Sequence, residues 1–164
     1  MKEVSVENFL SKKYSEPVYV QIDVLDYNKR KDGKVSGKSD FYSNPTEYTS
    51  DFERFTKVSD IFIAGHFYWN DAPYILTQEM LKANDCNIKV VADISCDVNG
   101  PIACTIKAST IAEPLFGYLP SEHKEVAYTH PASIMVMSVD NLPCELPKDA
   151  SEGFARASRK TARG

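Results

Sequence analysis

The sequence predicts an α/β protein whose strands are largely parallel. Three observations carry that expectation. Helical and strand-like patterns alternate between residues 44 and 94, which is the order that layered α/β folds produce. Two β-branched apolar runs, residues 58–65 and 88–94, read as buried strands. Each run ends abruptly in polar or glycine residues, Gly65-His66 and Asp93-Ile94-Ser95-Cys96-Asp97, and ligands of open α/β sheets bind beyond such strand ends.

The elements follow in order. Residues 4–10 read as a short helix with Ser5 as its N-cap and Val6, Phe9 and Leu10 as its apolar positions. After the turn Ser15-Glu16-Pro17, the aromatic and β-branched residues 18–22 form a strand that Asp23 ends. Residues 28–37 (NKRKDGKVSG) are polar, charged and glycine-bearing, and read as a solvated loop. No aromatic is interleaved with those charges, which argues against a nucleic-acid surface. Residues 46–55 place Tyr48, Phe52 and Phe55 at helical spacing, and Thr77 can cap a helix over residues 78–83. From residue 99 the texture changes to shorter strands (102–108, 115–118, 133–139) separated by Pro and Gly, and then a last helix capped by Asp149 or Ser151. The final ten residues, ARASRKTARG, hold no large apolar side chain and read as a frayed tail.

Composition narrows the function. With 19 Lys and Arg against 23 Asp and Glu, the net charge is −4, so bulk charge does not recruit nucleic acid or an anionic membrane. No apolar run approaches the ~20 residues that span a bilayer. The start MKEVSVENFL lacks the apolar core of a signal peptide, so a cytoplasmic location is expected. The four cysteines form no C-x-x-C pair, and His66, His123 and His130 are scattered, so no metal site is expected and the thiols stay free. There is no G-x-G-x-x-G, no G-x-x-x-x-G-K-[ST] and no G-x-S-x-G.

Three segments could carry chemistry: Gly65-His66-Phe67-Tyr68-Trp69, Asp93 to Asp97, and Asp140-Asn141-Leu142-Pro143. Each also has a bland reading, as core aromatics or as Asx turns. Three strand-end sites in one α/β chain are more suggestive than any one of them.

At these residues the chain resembles a known family. Val91-Ala92-Asp93-Ile94-Ser95-Cys96-Asp97, Gly100-Pro101-Ile102, Cys104-Thr105, Ser109-Thr110-Ile111 and Pro114, then Val139-Asp140-Asn141-Leu142-Pro143, Leu146-Pro147 and Ala150-Ser151-Glu152-Gly153-Phe154, resemble colinear blocks of the lysine–2-oxoglutarate reductase and saccharopine dehydrogenase family. Tyr68-Trp69, Pro73 and Leu76-Thr77 fit upstream. The resemblance implies the later strands of a partial Rossmann-like sheet in residues 1–97, a return segment of the substrate domain in 98–154, and a tail foreign to the family in 155–164. It implies NAD or NADP in the cleft, near Gly65, His66, Phe67, Tyr68, Trp69, Asp93, Ile94 and Asp97, with Asn141, Leu142 and Pro143 by the reacting carbon. Asp97 would be the acidic residue beside the nicotinamide, and Asp140 would position catalytic basic groups. His66 stands where the family usually has an apolar residue.

The implied function is that of the C-terminal part of an NAD(P)-dependent oxidoreductase acting on the CH–NH bond of saccharopine, with a small amino-acid substrate. Its glycine-rich loop and its Lys and His acid–base groups would lie in an amino-terminal half, supplied in cis or in trans, and the isolated chain would be inactive. Unpaired strand edges make self-association plausible. Two rival readings are a binding or assembly module that keeps the half-fold without chemistry, and an enzyme like alanine dehydrogenase, which shares the fold.

Overall fold

The computed structural model describes residues 1–68 and 71–161, with the side chains of the last helix given as far as Arg156. Ser5 caps the first helix, α1 (Val6–Ser11), its Oγ accepting from the Asn8 N–H at 3.3 Å. Val6, Phe9 and Leu10 lean on the core, as their spacing requires. Strand β1 (Lys2–Glu3) pairs in parallel with β2 (Val18–Tyr19). The second strand is shorter than expected. The chain turns at Asp23, whose Oδ1 accepts from the Leu25 N–H at 3.1 Å, while the Asp23 N–H donates to Asp26 at 2.8 Å.

Two expectations fail in the next stretch. Residues 28–37 do not form a loop throughout, because β3 (Asn28–Arg30) pairs antiparallel with β4 (Tyr48–Ser50). Nor do residues 46–55 form one helix. They divide into a 3₁₀ turn (Pro45–Glu47), β4, and a short helix that we number α3 (Glu53–Thr56), after α2 (Lys38–Ser43). Tyr48, Phe52 and Phe55 are all buried, but Tyr48 reaches the interior from β4 and Phe52 and Phe55 from the start and body of α3. The charges that looked solvated are paired with one another. Arg30 donates to Asp32 at 2.9 and 3.0 Å and to Asp40 at 2.6 Å, and Asp40 also accepts from the Tyr48 hydroxyl at 2.6 Å.

The main sheet has five strands: β5 (Ile61–Ala64), β6 (Val90–Asp93), β7 (Leu115–Leu119), β8 (Lys124–Val126) and β9 (Ile134–Met137), in the spatial order β5-β6-β9-β7-β8. The fold is α/β, as expected, but the sheet is mixed. β5, β6 and β9 run parallel, and the β7–β8 hairpin is added antiparallel to β9. Sequence reasoning missed β8, whose segment Lys-Glu-Val offers one apolar residue. Residues 102–108 form no strand. They cross the sheet as irregular chain, tied by a single bridge between Leu76 and Ile102, and bury Ile102, Cys104 and Thr105.

The connection from β5 to β6 carries α4 (Gln78–Lys82), capped by Thr77. Leu81 on α4 joins Phe52, Phe55, Leu76, Val91, Ile102 and Val136 in one hydrophobic core. Register separates the two faces of the sheet. Phe62, Val91, Val136 and Phe116 stand in one row across the strands and face this core. The adjoining rows, Ile61-Val90-Met135 and Ile63-Ala92-Met137-Leu115, point the other way. Ile61 and Ile63 are 60% and 64% exposed.

Helix α5 (Pro147–Thr161) starts at Pro147, earlier than the expected caps Asp149 and Ser151, because proline suits the first helical turn. It continues into residues 155–161, where a frayed tail was expected. Residues 98–154 supply β7, β8 and β9 to the sheet that holds β5 and β6, so the division expected after residue 97 crosses a continuous sheet. Among the described residues no helix is long and apolar enough to cross a membrane.

Candidate functional site at the strand ends

Because β5, β6 and β9 are parallel and in register, their carboxyl ends meet along one edge. That edge receives Gly65 to Tyr68 after β5, Asp93 to Asp97 after β6, and Asp140 to Pro143 after β9. The three predicted segments are therefore brought together, the first as far as Tyr68, and their described side chains can be placed. Asp97, Asp140, Asn141 and Pro143 are exposed, and Leu142 is half-buried at the start of a 3₁₀ turn (Leu142–Cys144). Ile94 and Phe67 are exposed. Tyr68 is half-buried, with its hydroxyl donating to the Ala72 carbonyl at 3.0 Å and its ring 6.1 Å from that of Tyr74. Trp69 lies outside the described residues.

Asp93 is different from the rest. It is fully buried, and both carboxyl oxygens are occupied. Oδ1 accepts from the Cys96 N–H at 3.0 Å, and Oδ2 accepts from the Thr105 hydroxyl at 2.6 Å. The reading of Asp93 as a direct cofactor contact gives way to that of an internal anchor, which fixes the turn presenting Asp97. That turn is strained: Cys96 and Asn99 have φ of +51° and +55°. Gly100 closes it, since a Cβ there would lie 2.7 Å from the Asp97 carbonyl oxygen.

The neighbouring strand ends are tied to this turn. The Ser95 hydroxyl donates to the His66 carbonyl at 2.7 Å, and the Cys96 thiol donates to the Ser138 carbonyl at 3.0 Å. Burial pushes the Cys96 thiol pKa up, and the charges of Asp93, Asp140 and Asp97 push it further. The thiol thus sits within reach of negative charge from two strand ends. Gly65 needs no glycine for its backbone: its φ is not positive, and a Cβ would meet nothing within 4 Å. Open space beside a glycine at a strand end is room for a ligand's close approach.

No family model matches the chain. Individual relatives do. It is 27% identical over 125 residues to the alpha-aminoadipic semialdehyde synthase of Arabidopsis thaliana, covering 74% of this chain and 12% of that protein. It is 33% identical over 117 residues to the saccharopine dehydrogenase [NAD(+), L-lysine-forming] of Schizosaccharomyces pombe, covering 70% and 30%, and 30% identical over 100 residues to that of Neurospora crassa, covering 59% and 25%. The chain is a relative of the saccharopine dehydrogenase family. It spans less than a third of the length of these relatives.

Within this saccharopine dehydrogenase relative, sequence reasoning found the exposed acids but missed the residues that brace the turn bearing Asp97, Thr105 through Asp93 and Ser138 through Cys96. The only available signal was a polar residue inside an apolar stretch: both are fully buried. Ser138 donates to the Lys107 carbonyl at 2.7 Å and receives the Cys96 thiol on its carbonyl. Among the described residues no group of His, Cys, Asp and Glu could hold a metal ion.

His66 gives this edge a pH dependence. Its Nδ1 lies 3.5 Å from Ser95 Oγ, and its buried Nε2 has no hydrogen-bond partner among the described residues. Burial holds the imidazole below its ordinary 6.5, against the opposing pull of Asp93 and Asp97. The folded chain thus resists a proton that the unfolded chain accepts, so stability is full above 6.5 and falls as pH drops through that value. Thermal melting from about pH 7.5 to about pH 5.5 should show a falling Tm, and His66→Leu should flatten the slope. An unchanged slope would remove His66 as the cause.

Proposed function

We propose that this chain is the C-terminal part of an NAD(P)-dependent oxidoreductase acting on the CH–NH bond of saccharopine, joining lysine to 2-oxoglutarate or running the reverse. An amino-terminal half, in cis or in trans, completes it, and the isolated chain is inactive. Its free thiols suit the reducing cytoplasm. The observation that carries the reading is the convergence of Gly65, Asp97 and Asp140 at the carboxyl edge of three parallel strands, in a relative of enzymes named for saccharopine.

The residues fit one end of a dinucleotide and not the other. The open space at Gly65 suits a planar ring approaching backbone, whereas the sequence holds no glycine-rich loop for the pyrophosphate. Bound NAD(P) would supply or accept the hydride. The chain's own contribution is electrostatic. Asp97, held on a turn that Asp93 and Gly100 fix, offers a carboxylate to positive charge on the ring or on the substrate imine. Asp140 offers one that keeps a neighbouring amine of the amino-terminal half charged.

Fluorescence of Trp69, the single tryptophan, tests this. The chain joined by its completing half should be quenched saturably by NADH or NADPH. Gly65→Val should weaken that binding by about tenfold or more while leaving Tm unchanged, because the added methyls enter open space. A flat titration of the completed protein would overturn the reading.

A further inference from the structure

We propose that Asn99–Gly100 is a site of spontaneous deamidation, and that its isoaspartyl product opens the turn presenting Asp97. The shape of the turn selects the two residues that make it labile. Asn99 has a φ of +55°, a left-handed conformation that asparagine accepts more readily than most residues. Gly100 lacks a side chain because a Cβ there would meet the Asp97 Cβ and carbonyl oxygen, each at 2.7 Å. Together they place a side-chain amide next to the least hindered backbone nitrogen a chain can offer. No other asparagine of the sequence is followed by glycine. Asn99 is exposed, and among the described residues no hydrogen bond holds its side chain.

The chemistry needs water and nothing else. The Gly100 nitrogen attacks Cγ of Asn99: the N–Cγ bond forms, the Cγ–Nδ2 bond breaks, and ammonia leaves with the Gly100 amide proton. Water then opens the five-membered imide. Attack at Cγ gives aspartate, and attack at the residue's own main-chain carbonyl breaks that carbon's bond to nitrogen and gives isoaspartate. In the folded chain the Gly100 N–H donates to the Asp97 carbonyl at 2.8 Å, so the attack waits on brief opening of the turn. Aspartate adds only a charge. Isoaspartate routes the main chain through one more methylene, which a turn closed this tightly on Asp97 does not accommodate. The Asn99 N–H also donates to the Thr105 carbonyl at 2.9 Å, and the Thr105 hydroxyl holds Asp93. The distortion therefore reaches the anchor beneath Asp97. Asp32–Gly33 is the protected case. Its carboxylate accepts from Arg30 at 2.9 and 3.0 Å and from the Lys34 N–H at 3.1 Å. The Arg30 guanidinium holds that carboxyl well below the usual carboxylate range, ionised and resistant to attack.

The test holds the full chain in warm, mildly alkaline buffer, beside the same chain in urea, and maps peptides by mass over time. The peptide holding residue 99 should gain about one dalton and become a substrate for isoaspartyl methyltransferase, while the peptide holding Asp32 should not be methylated. The folded chain should react about tenfold more slowly than the chain in urea. No gain after about ten times the period that converts the urea sample overturns the site. Asn99→Gly, which suits the left-handed backbone, should abolish the gain; a gain that persists belongs to another asparagine and overturns it too. The acidic fraction isolated by anion exchange, in which isoaspartate predominates, should melt about 3 °C or more below freshly prepared Asn99→Asp. Equal melting overturns the opening of the turn. None of these outcomes depends on the enzymatic reading.

Discussion

Asp97→Ala in the completed protein should reduce turnover by about a hundredfold while changing dinucleotide affinity by less than about threefold. The asymmetry follows from the geometry. Asp97 is exposed on a turn whose backbone is anchored from below by Asp93 and closed by Gly100, so removing its carboxylate leaves the turn standing. What is lost is a charge that matters most when positive charge develops, which is a transition-state effect rather than a binding effect. Steady-state rates at saturating dinucleotide, set beside the Trp69 titration, separate the two. Unchanged turnover would sink the assignment of Asp97. A parallel loss of affinity would make it a binding residue.

The second large effect is on stability. Asp93→Ala should cost about 3 kcal/mol, roughly 10 °C in Tm, because it strands a buried threonine hydroxyl and the Cys96 N–H at once. Asp93→Asn should cost less, since an amide oxygen can still accept from Cys96 and the Thr105 hydroxyl can rotate to accept from the amide. A double-mutant cycle with Thr105→Val, read by denaturant melts, should give a coupling of about 1 kcal/mol or more. Normal stability in Asp93→Ala, with weakened dinucleotide binding, would return Asp93 to the role of a direct contact.

What could be read from the sequence divides along physical lines. The strands β5, β6, β7 and β9 are legible because burial on the sheet writes itself as runs of β-branched, aromatic and other apolar residues, and α1 and α4 because Ser5 and Thr77 announce their starts. The stretch from Asn28 to Phe55 is not. Its order comes from the pairing of Arg30 with Asp32 and Asp40, and composition shows charges without showing partners. Tyr48, Phe52 and Phe55 mimic a helix because burial from any element leaves the same apolar letters. At the strand ends, position along the chain identified the acids, but exposure sorted them. Asp93 and Asp97 look alike as letters, yet one is sealed in the core and the other is exposed at the sheet edge.

Strand β9 sits between two kinds of neighbour, parallel β6 on one side and antiparallel β7 on the other, and this sets an order in time. The hairpin from β7 to β8 closes through a short turn at Pro120 to His123, and β9 follows soon after, so those pairings bring together residues close along the chain. The match of Val91 to Val136 must close a far longer loop before it gains anything, and long loops cost more entropy to close and form more slowly. The antiparallel corner is then the part of the sheet that exists first. Pairing of β6, and of β5 beyond it, is expected to follow, and with it the joining of the Asp97 turn to the strand end that carries Asp140.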